Sequence, residues 1–479
     1  MPLTYKTILK ALLAFMPLLF ISNLYAQSTV PLKNYTLKAR ADSFQVIESN
    51  HTYRKRAIKN NTDTLGFGTD LFSNVITIKT DIDSVKIRYN PQYEPTEQLT
   101  QVNIVTPHYR QAIYYYFHEM RSKFSREYMT RAAAAVQYEI PETYELANIL
   151  YALTKSSDGN SNRTLKSTAY FKEMQLYFSK YKDDPIFKVL QFDDSKQGTL
   201  NYFSFRENSF CFMFSHDKLV PNRQYNIVYG ETKDNVFKKL VPLINVFVKR
   251  SNFRQFYKQH QAYYEKQVAD EKKFMPVDKM KEWLERNFTT RVQSYRVIFS
   301  PLILGSHSTQ KFFWFTEKSE VFNESVMFVS GMEVFNNDIG LTDTEKEGLA
   351  SGIVFTEVDH NYCNPVSDKY EKQINSALSN RKLWIAINGD GSIYDTPESI
   401  FNEYITHGVF MLYCYDTFKN PADFDLIKQN RESLMVNHRK YLQFKAFDEM
   451  LLALYKTKAS GKTISDLYPD IINWCKQHN

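Results

Sequence analysis

The chain of 479 residues is 43% hydrophobic and 15% aromatic, and it contains only 14 Gly and 16 Pro. This composition excludes a disordered, fibrous or low-complexity protein, and the length allows a large core divided into two or three domains. The formal net charge of +7 is too small to indicate a nucleic-acid-binding protein, because the densest basic cluster, Arg54-Lys55-Arg56, is one short patch.

The N-terminal residues have the pattern of a signal peptide. Two lysines precede the apolar stretch 11–21, and Ala26 provides a small residue before a cut at Gln27. We therefore predict a signal peptide over 1–26 and an exported protein, periplasmic or extracellular. Leu24 is larger than the residue usual in the cleavage motif, so an uncleaved anchor stays open as an alternative. No later stretch is long and apolar enough to predict a membrane span.

The region after the leader is predicted to change from strands to helices. Residues 27–105 indicate a small β-rich region, because 74–78 and 84–88 alternate polar and apolar side chains across a short polar connection. Residues 106–235 are predicted to be mainly helical, with 156–161 as a loop. The helical patterns lie at 114–124, 132–135, 142–153 and 168–181.

The last region, 236–479, contains both kinds of pattern. An aromatic stripe at helical spacing runs from Phe253 to Tyr264 and includes His260, which we interpret as a packing residue. Short runs rich in aromatic and β-branched residues then predict strands. These runs lie at 295–299, 312–315 and 326–329. Strands followed by an amphipathic helix and further helices predict an α+β fold for this region.

The most informative stretch is the sequence Thr-Glu-Val-Asp-His at 356–360. In the HExxH motif of zinc peptidases, two histidines four residues apart on one helix bind the metal, and the intervening Glu acts on the attacking water. Here Glu357 and His360 fit the motif, whereas Thr356 replaces the first histidine. The helix is expected to begin after Thr342 or Asp343 as its cap and to end before Asn364-Pro365, with Thr356 and His360 on its buried stripe.

A second helix is predicted from a cap at Thr396. Helical spacing places Glu403 and His407 on the same face as Ile400. A glutamate from a downstream helix is the third ligand in one type of zinc peptidase, so Glu403 is the candidate partner of His360. We interpret Asp359, which is rotated away from the stripe, as a solvated or capping carboxylate.

These residues resemble a family of secreted bacterial proteins labelled a domain of unknown function, which is similar to the gluzincin zinc peptidases. The resemblance rests mainly on the run 355–365, followed by 368–370, and on Asn402-Glu403-Tyr404. Weaker matches extend it over about 105–460. It implies a gluzincin-like fold for 236–479, a role for Glu357 as general base, and metal binding by His360 and Glu403. A threonine hydroxyl is a poor zinc ligand, so position 356 departs from the family pattern.

Three hypotheses follow from this departure. The first is a catalytically degenerate relative that keeps the fold and binds peptides or proteins, with zinc weak or absent. The second is an active zinc peptidase with a rearranged site, in which His360, Glu403 and His407 bind the metal and Glu357 acts as base. The third is that the TExxH pattern arose by chance in an unrelated fold.

The remaining candidates have structural interpretations. The four cysteines, Cys211, Cys363, Cys414 and Cys475, are too few for a disulfide framework and have no CxxC spacing, so we interpret them as buried free thiols. Disulfide pairing stays an alternative in an exported chain. His307 follows a glycine and a serine and is interpreted as a loop residue.

Overall fold

The structure is a computed structural model. It describes residues 33–48, 52–68, 75–88, 98–118, 124–159, 163–193, 195–222, 224–225, 236–315, 320–335, 340–386, 394 and 396–479. The predicted signal peptide lies outside the described residues. The described residues form two compact units: those of 33–118 make up the first, and those from 124 to 479 make up the second.

The first unit is built from β-strands. They are β1 (Lys33–Lys38), β2 (Ser43–Glu48), β3 (Thr52–Ala57), β4 (Thr62–Gly68), β5 (Val75–Lys79), β6 (Ser84–Arg88), β7 (Gln98–Val105) and β8 (Arg110–His118). In its described part these strands form two four-stranded sheets, of order β1-β7-β8-β4 and β3-β2-β5-β6. Alternate apolar side chains of both sheets, such as Val46 and Ile104, share one core. The strands predicted at 74–78 and 84–88 are present as β5 and β6.

The helix predicted at 114–124 is wrong, because this stretch begins as strand β8. Ile113 and Tyr115 are fully buried while Tyr114 between them is half-buried, which is the period of a strand. The strand pairs antiparallel with β7 and parallel with β4. A continuous aromatic run fits a helix or a buried strand equally well, and here cross-strand pairing decides. The β-rich unit consequently extends beyond the boundary expected at 105.

The first part of the second unit is mainly helical. Its helices are α1 (Arg126–Ala132), α2 (Glu142–Ala152), α3 (Lys155–Gly159), α4 (Ala169–Phe178), α5 (Ile186–Val189), α6 (Lys196–Asn208), α7 (Val236–Ser251), α8 (Phe253–Gln259), α9 (Gln261–Phe274) and α10 (Val277–Asn287). A hairpin of β10 (Phe212–Ser215) and β11 (Lys218–Pro221) interrupts them. The loop predicted at 156–161 is wrong in part, since α3 occupies most of it. The predicted aromatic stripe is split at His260 into α8 and α9.

One sheet of the second unit lies beside the candidate site. Its strands are β9 (Val136–Glu139), β12 (Ser294–Ser300), β13 (Ser308–Phe315) and β14 (Glu320–Ser330), in the order β13-β14-β12-β9. The strand β12 is parallel to β14 and β9, whereas β13 pairs antiparallel with β14 and forms one edge. The three strands predicted in this region are confirmed.

Helices follow the sheet to the end of the chain. They are α11 (Asp343–Ser367), α12 (Glu371–Ala377), α13 (Arg381–Trp384), α14 (Pro397–Thr417), α15 (Pro421–Ser433), α16 (Phe444–Thr457) and α17 (Tyr468–Gln477), with a π-helical turn at Leu434–His438. The chain therefore has an α+β fold, with a β-rich N-terminal region and a helical C-terminal part.

The two helices that carry the candidate site start where their caps predict. The hydroxyl of Thr342 accepts from the amide of Glu345, whose carboxylate accepts from the amide of Thr342. A similar reciprocal cap at Thr396 starts α14. The predicted end of α11 before Pro365 is wrong, because the helix continues to Ser367. Proline removes one N–H donor, and the surrounding packing of buried neighbours such as Val366 holds the helical path.

Candidate functional site

Helices α11 and α14 pack together and bring the predicted ligands to one place. The Nε2 atom of His360 lies 3.6 Å from Oε1 of Glu403. The Nε2 atom of His407, one turn further along α14, lies 3.8 Å from Oε2 of the same carboxylate. The side chain of Glu403 is 7% exposed and that of His360 is 29% exposed. The site is thus a partly exposed cluster of polar groups centred on a buried glutamate.

The hydroxyl of Thr356 is hydrogen-bonded within its own helix and not to Glu403. Its Oγ1 donates to the backbone carbonyls of Gly352 and Ile353, at 3.3 and 3.4 Å. Threonine in a helix often satisfies its hydroxyl in this way, because the carbonyl one turn earlier is within reach. The position that holds an imidazole in the HExxH motif therefore holds a group bonded to its own helix.

Glu357 connects α11 to the edge strand β13. The hydroxyl of Thr309 on that strand donates to Oε2 of Glu357 at 2.8 Å. Burial raises the pKa of the Glu357 carboxyl, and the nearby charge of Glu403 raises it further, whereas His360 and the Thr309 hydrogen bond act in the opposite direction. A carboxyl with a raised pKa close to a histidine has the character of a general acid or base.

An arginine that the sequence analysis missed lies between Glu403 and His407. The guanidinium of Arg439 donates from Nη2 to Oε2 of Glu403 at 2.7 Å, and its Nη1 is 2.6 Å from Nε2 of His407. Nη2 is also 3.3 Å from the hydroxyl of Tyr394. Burial lowers the pKa of Arg439, but the charge of Glu403 and other neighbours raises it above the ordinary value and keeps the guanidinium protonated. The cation present among these ligands is therefore a guanidinium.

A second arginine, Arg431, contacts the other side of His407. Its Nη1 lies 2.8 Å from Nδ1 of the ring, and its guanidinium stacks over Phe410 at 4.5 Å. Burial is the main reason that the pKa of Arg431 falls to about 10. A Cβ atom at Gly352 would lie 1.7 Å from Nη2 of Arg431, so the glycine leaves the space that the guanidinium needs.

His407 is held neutral and is flanked by donors at both ring nitrogens. Burial lowers its pKa well below the usual value, and the charges of Arg431 and Arg439 lower it further. A neutral imidazole has one acceptor nitrogen, so it can accept from only one of the two guanidiniums. Neither nitrogen is directed at open space. His407 is consequently a poor candidate for a metal ligand as the site is built.

The prediction of which face of α11 is buried is wrong, because the helix is rotated about its axis relative to the expected orientation. Val354 and Val358 are fully buried, whereas Thr356 and His360 are half-buried at the margin of the core. Asp359, expected in solvent, is also fully buried. Its burial, together with the charges of Glu403 and Glu357, raises its pKa well above the usual value and favours the neutral acid. The apolar side chains of α11 determine which face turns inward, and the polar motif residues lie beside that face.

The remaining candidates have structural roles. All four cysteines are buried thiols that form no disulfide, as expected. The ring of His260 lies 4.1 Å from that of Phe256, and its Nδ1 is 2.8 Å from the Phe256 carbonyl, so it packs as predicted. His307 lies 3.1 Å from the hydroxyl of Ser330, and burial lowers its pKa to about 4.

The donor set does not fit zinc as it stands. Zinc sites use three protein ligands when one position is left for water, and those ligands must present lone pairs to the metal. Thr356 donates to its own helix, and His407 and one oxygen of Glu403 are engaged by arginines. Within the described ranges, no group of three or more His, Cys, Asp or Glu side chains is arranged to hold a metal ion.

No protein-family model, curated protein or solved structure matches this chain. The resemblance to the gluzincin-like family therefore stays a prediction from the motif residues. In the part of the chain that the structure describes, no helix has both the length and the apolar character that crossing a bilayer requires.

Proposed function

We propose that the chain is an exported, gluzincin-like protein that has lost zinc-dependent hydrolysis and binds extended peptide segments. The observation that carries this proposal is the Arg439 guanidinium, which engages Glu403 and His407 at 2.7 and 2.6 Å. Zinc peptidases need a divalent cation and an open coordination position at such a carboxylate. A guanidinium has no coordination position for water, so it does not generate a hydroxide nucleophile.

The location of the edge strand supports the peptide-binding part of the proposal. The strand β13 lies at the margin of its sheet, and its Thr309 contacts Glu357 of the motif helix. An edge strand can pair through its backbone with an extended peptide. A peptide on β13 would then lie near Glu357, whose helix also carries the partly exposed His360.

Hydrogen exchange tests this proposal with an internal control. The probe is a mixture of fluorescein-labelled peptides from trypsin-digested casein, and its binding is first measured by fluorescence anisotropy. Paired amides exchange more slowly, so binding should slow exchange in Ser308–Phe315 by about tenfold. The opposite edge strand, Val136–Glu139, should not change. Anisotropy that does not rise, or protection that is equal at both edges, would contradict binding at β13.

One observation favours the second candidate function, an active peptidase with a rearranged zinc site. His360 and His407 both lie within 3.8 Å of Glu403, which is near the spacing of ligands around one ion. Under this hypothesis the wild-type protein holds about one zinc per chain and cleaves the casein peptides with Glu357 as base. His407→Ala would then remove the zinc and the cleavage, whereas under the first proposal it changes neither.

A further inference from the structure

We propose that Arg439 supplies to Glu403 the positive charge that a metal ion would supply, so that its guanidinium is a permanent internal cation which disfavours zinc at a latent site. The latent site comprises His360, Glu403 and position 356. This inference deepens the proposed function and rests on its first part, the loss of zinc, but it does not depend on whether a peptide binds.

The burial of Glu403 explains why a cation is needed. Its side chain is 7% exposed, and Arg439, itself 18% exposed, is the closest cation to it in the described part of the chain. A buried carboxylate is stable only when it is paired with a cation or bound to a metal. The contact of Arg439 Nη2 with Oε2 supplies this pairing from within the chain.

The spacing of the donors corresponds to a metal site. Ligand atoms around a tetrahedral zinc ion lie about 3.3 Å apart, because each is about 2.0 Å from the metal. Nε2 of His360 lies 3.6 Å from Oε1 of Glu403, whereas Arg439 contacts the other carboxylate oxygen, Oε2. A histidine at position 356 would lie one helical turn before His360 on the same helix face, as the HExxH pattern requires.

His407 is less suitable as the third ligand than position 356. A metal-bound histidine normally donates its second N–H to a carboxylate or a carbonyl oxygen. The second nitrogen of His407 instead faces Arg431 at 2.8 Å, which is also a donor. Each nitrogen of the neutral ring therefore faces an arginine, and neither is available to a metal ion.

The backbone places Arg439 for this role. The residue directly follows the π-helical turn Leu434–His438, and its amide donates to the carbonyl of Leu434 at 2.9 Å. Such wide turns are frequent at functional sites, and the extra residue redirects the side chain that follows. Here the redirected side chain reaches back to α14.

The zinc content per chain is measured by mass spectrometry after dialysis. The affinity for zinc is measured by competition with a chelator. Both measurements compare wild type, Thr356→His, and the double variant Thr356→His with Arg439→Met. The double variant should bind about one zinc per chain and should bind it at least about 100-fold more tightly than Thr356→His, because a guanidinium beside the dication is removed. Adding His360→Ala to the double variant should abolish this binding.

Two further variants keep the test decisive. Thr356→His with Arg439→Lys retains the positive charge and should bind as little zinc as Thr356→His alone. Thr356→His with Arg439→Gln removes the charge but leaves a donor for Glu403, and it replaces the Met variant if circular dichroism shows that the latter is unfolded. Zinc binding by Thr356→His alone that equals the double variant would overturn the proposal. A folded double variant without zinc would also overturn it, and neither result depends on peptide binding.

Discussion

The Thr309 hydroxyl donates to the carboxylate of Glu357 across 2.8 Å and joins the edge strand β13 to the motif helix α11. This contact connects the strand on which we expect a peptide to the residue that the motif identifies as a base. It also supplies one of the few groups that favour the charged form of a buried carboxyl.

Thr309→Val should destabilise the protein by about 1–2 kcal/mol, because the half-buried carboxylate of Glu357 loses a donor. The loss should be larger at high pH than at low pH, since the hydroxyl stabilises the charged form. Urea unfolding followed by tryptophan fluorescence measures it, because all four Trp lie in the second unit. The exposed Thr457→Val is the matched control and should change the free energy of unfolding by less than about 0.5 kcal/mol.

Arg439→Met should destabilise the second unit by about 3–5 kcal/mol, because it leaves Glu403 buried without its cation. Arg254→Met is the matched control. Arg254 pairs with Glu142 at 3.0 Å but is 39% exposed, so its loss should cost only about 0–1 kcal/mol. Equal effects of the two substitutions in urea unfolding would mean that the Arg439 pair is not a buried interaction.

Gly352→Ala should destabilise the protein by about 1–3 kcal/mol, because its new Cβ would displace the guanidinium of Arg431. Gly159→Ala provides the comparison, since nothing lies within 4 Å of its Cβ position. This second substitution should be neutral or slightly stabilising. Thermal unfolding of both variants checks the contrast, and a neutral Gly352→Ala would show that the Arg431 guanidinium does not pack against Gly352 in solution.

Glu145→Gln should remove a dependence of stability on pH. Burial raises the pKa of Glu145 from 4.5 to about 7, while Tyr170 donates to it at 2.6 Å. The folded state therefore binds this proton more tightly than the unfolded state does, so its contribution to stability is complete below pH 4.5 and is lost as pH rises through 7. Between pH 4.5 and pH 7, this contribution of Glu145 to the free energy of unfolding of wild type falls by about 3 kcal/mol.

Unfolding of Glu145→Gln at several pH values checks this prediction. The variant should have nearly the same stability as wild type at pH near 4.5 and should be more stable above pH 7. The exposed Glu127→Gln should keep the wild-type pH dependence. Equal slopes for wild type and Glu145→Gln between these pH values would contradict the assignment.

Local patterns predict much of the scaffold around the site. The caps at Thr342 and Thr396 start the two helices where expected, and the shared face of α14 places Glu403 opposite His360. These features depend on residues close in sequence, whose helical spacing determines which face they share. The sequence pattern of strand β8 predicts a helix, because the pairing with β7 that makes it a strand cannot be seen in its own residues.

The electrostatics of the site could not be predicted from the sequence. Arg431 and Arg439 lie 24 and 32 residues after His407, beyond a turn and outside any helical period that includes the motif. The burial of Asp359 could not be predicted from the sequence either. A rotation of α11 by one residue turns Asp359 inward in place of His360. Only the packing of α11 against α14 and α15 determines which of these groups is buried.

We propose that the Arg439 guanidinium replaces zinc as the cation of Glu403 in the wild-type protein. The zinc content of wild-type protein tests this most directly. The protein is purified without chelators, dialysed against zinc and then dialysed against metal-free buffer. We expect far less than about one zinc per chain, both in wild type and in His407→Ala. About one tightly held zinc per chain, lost in His407→Ala, would contradict it.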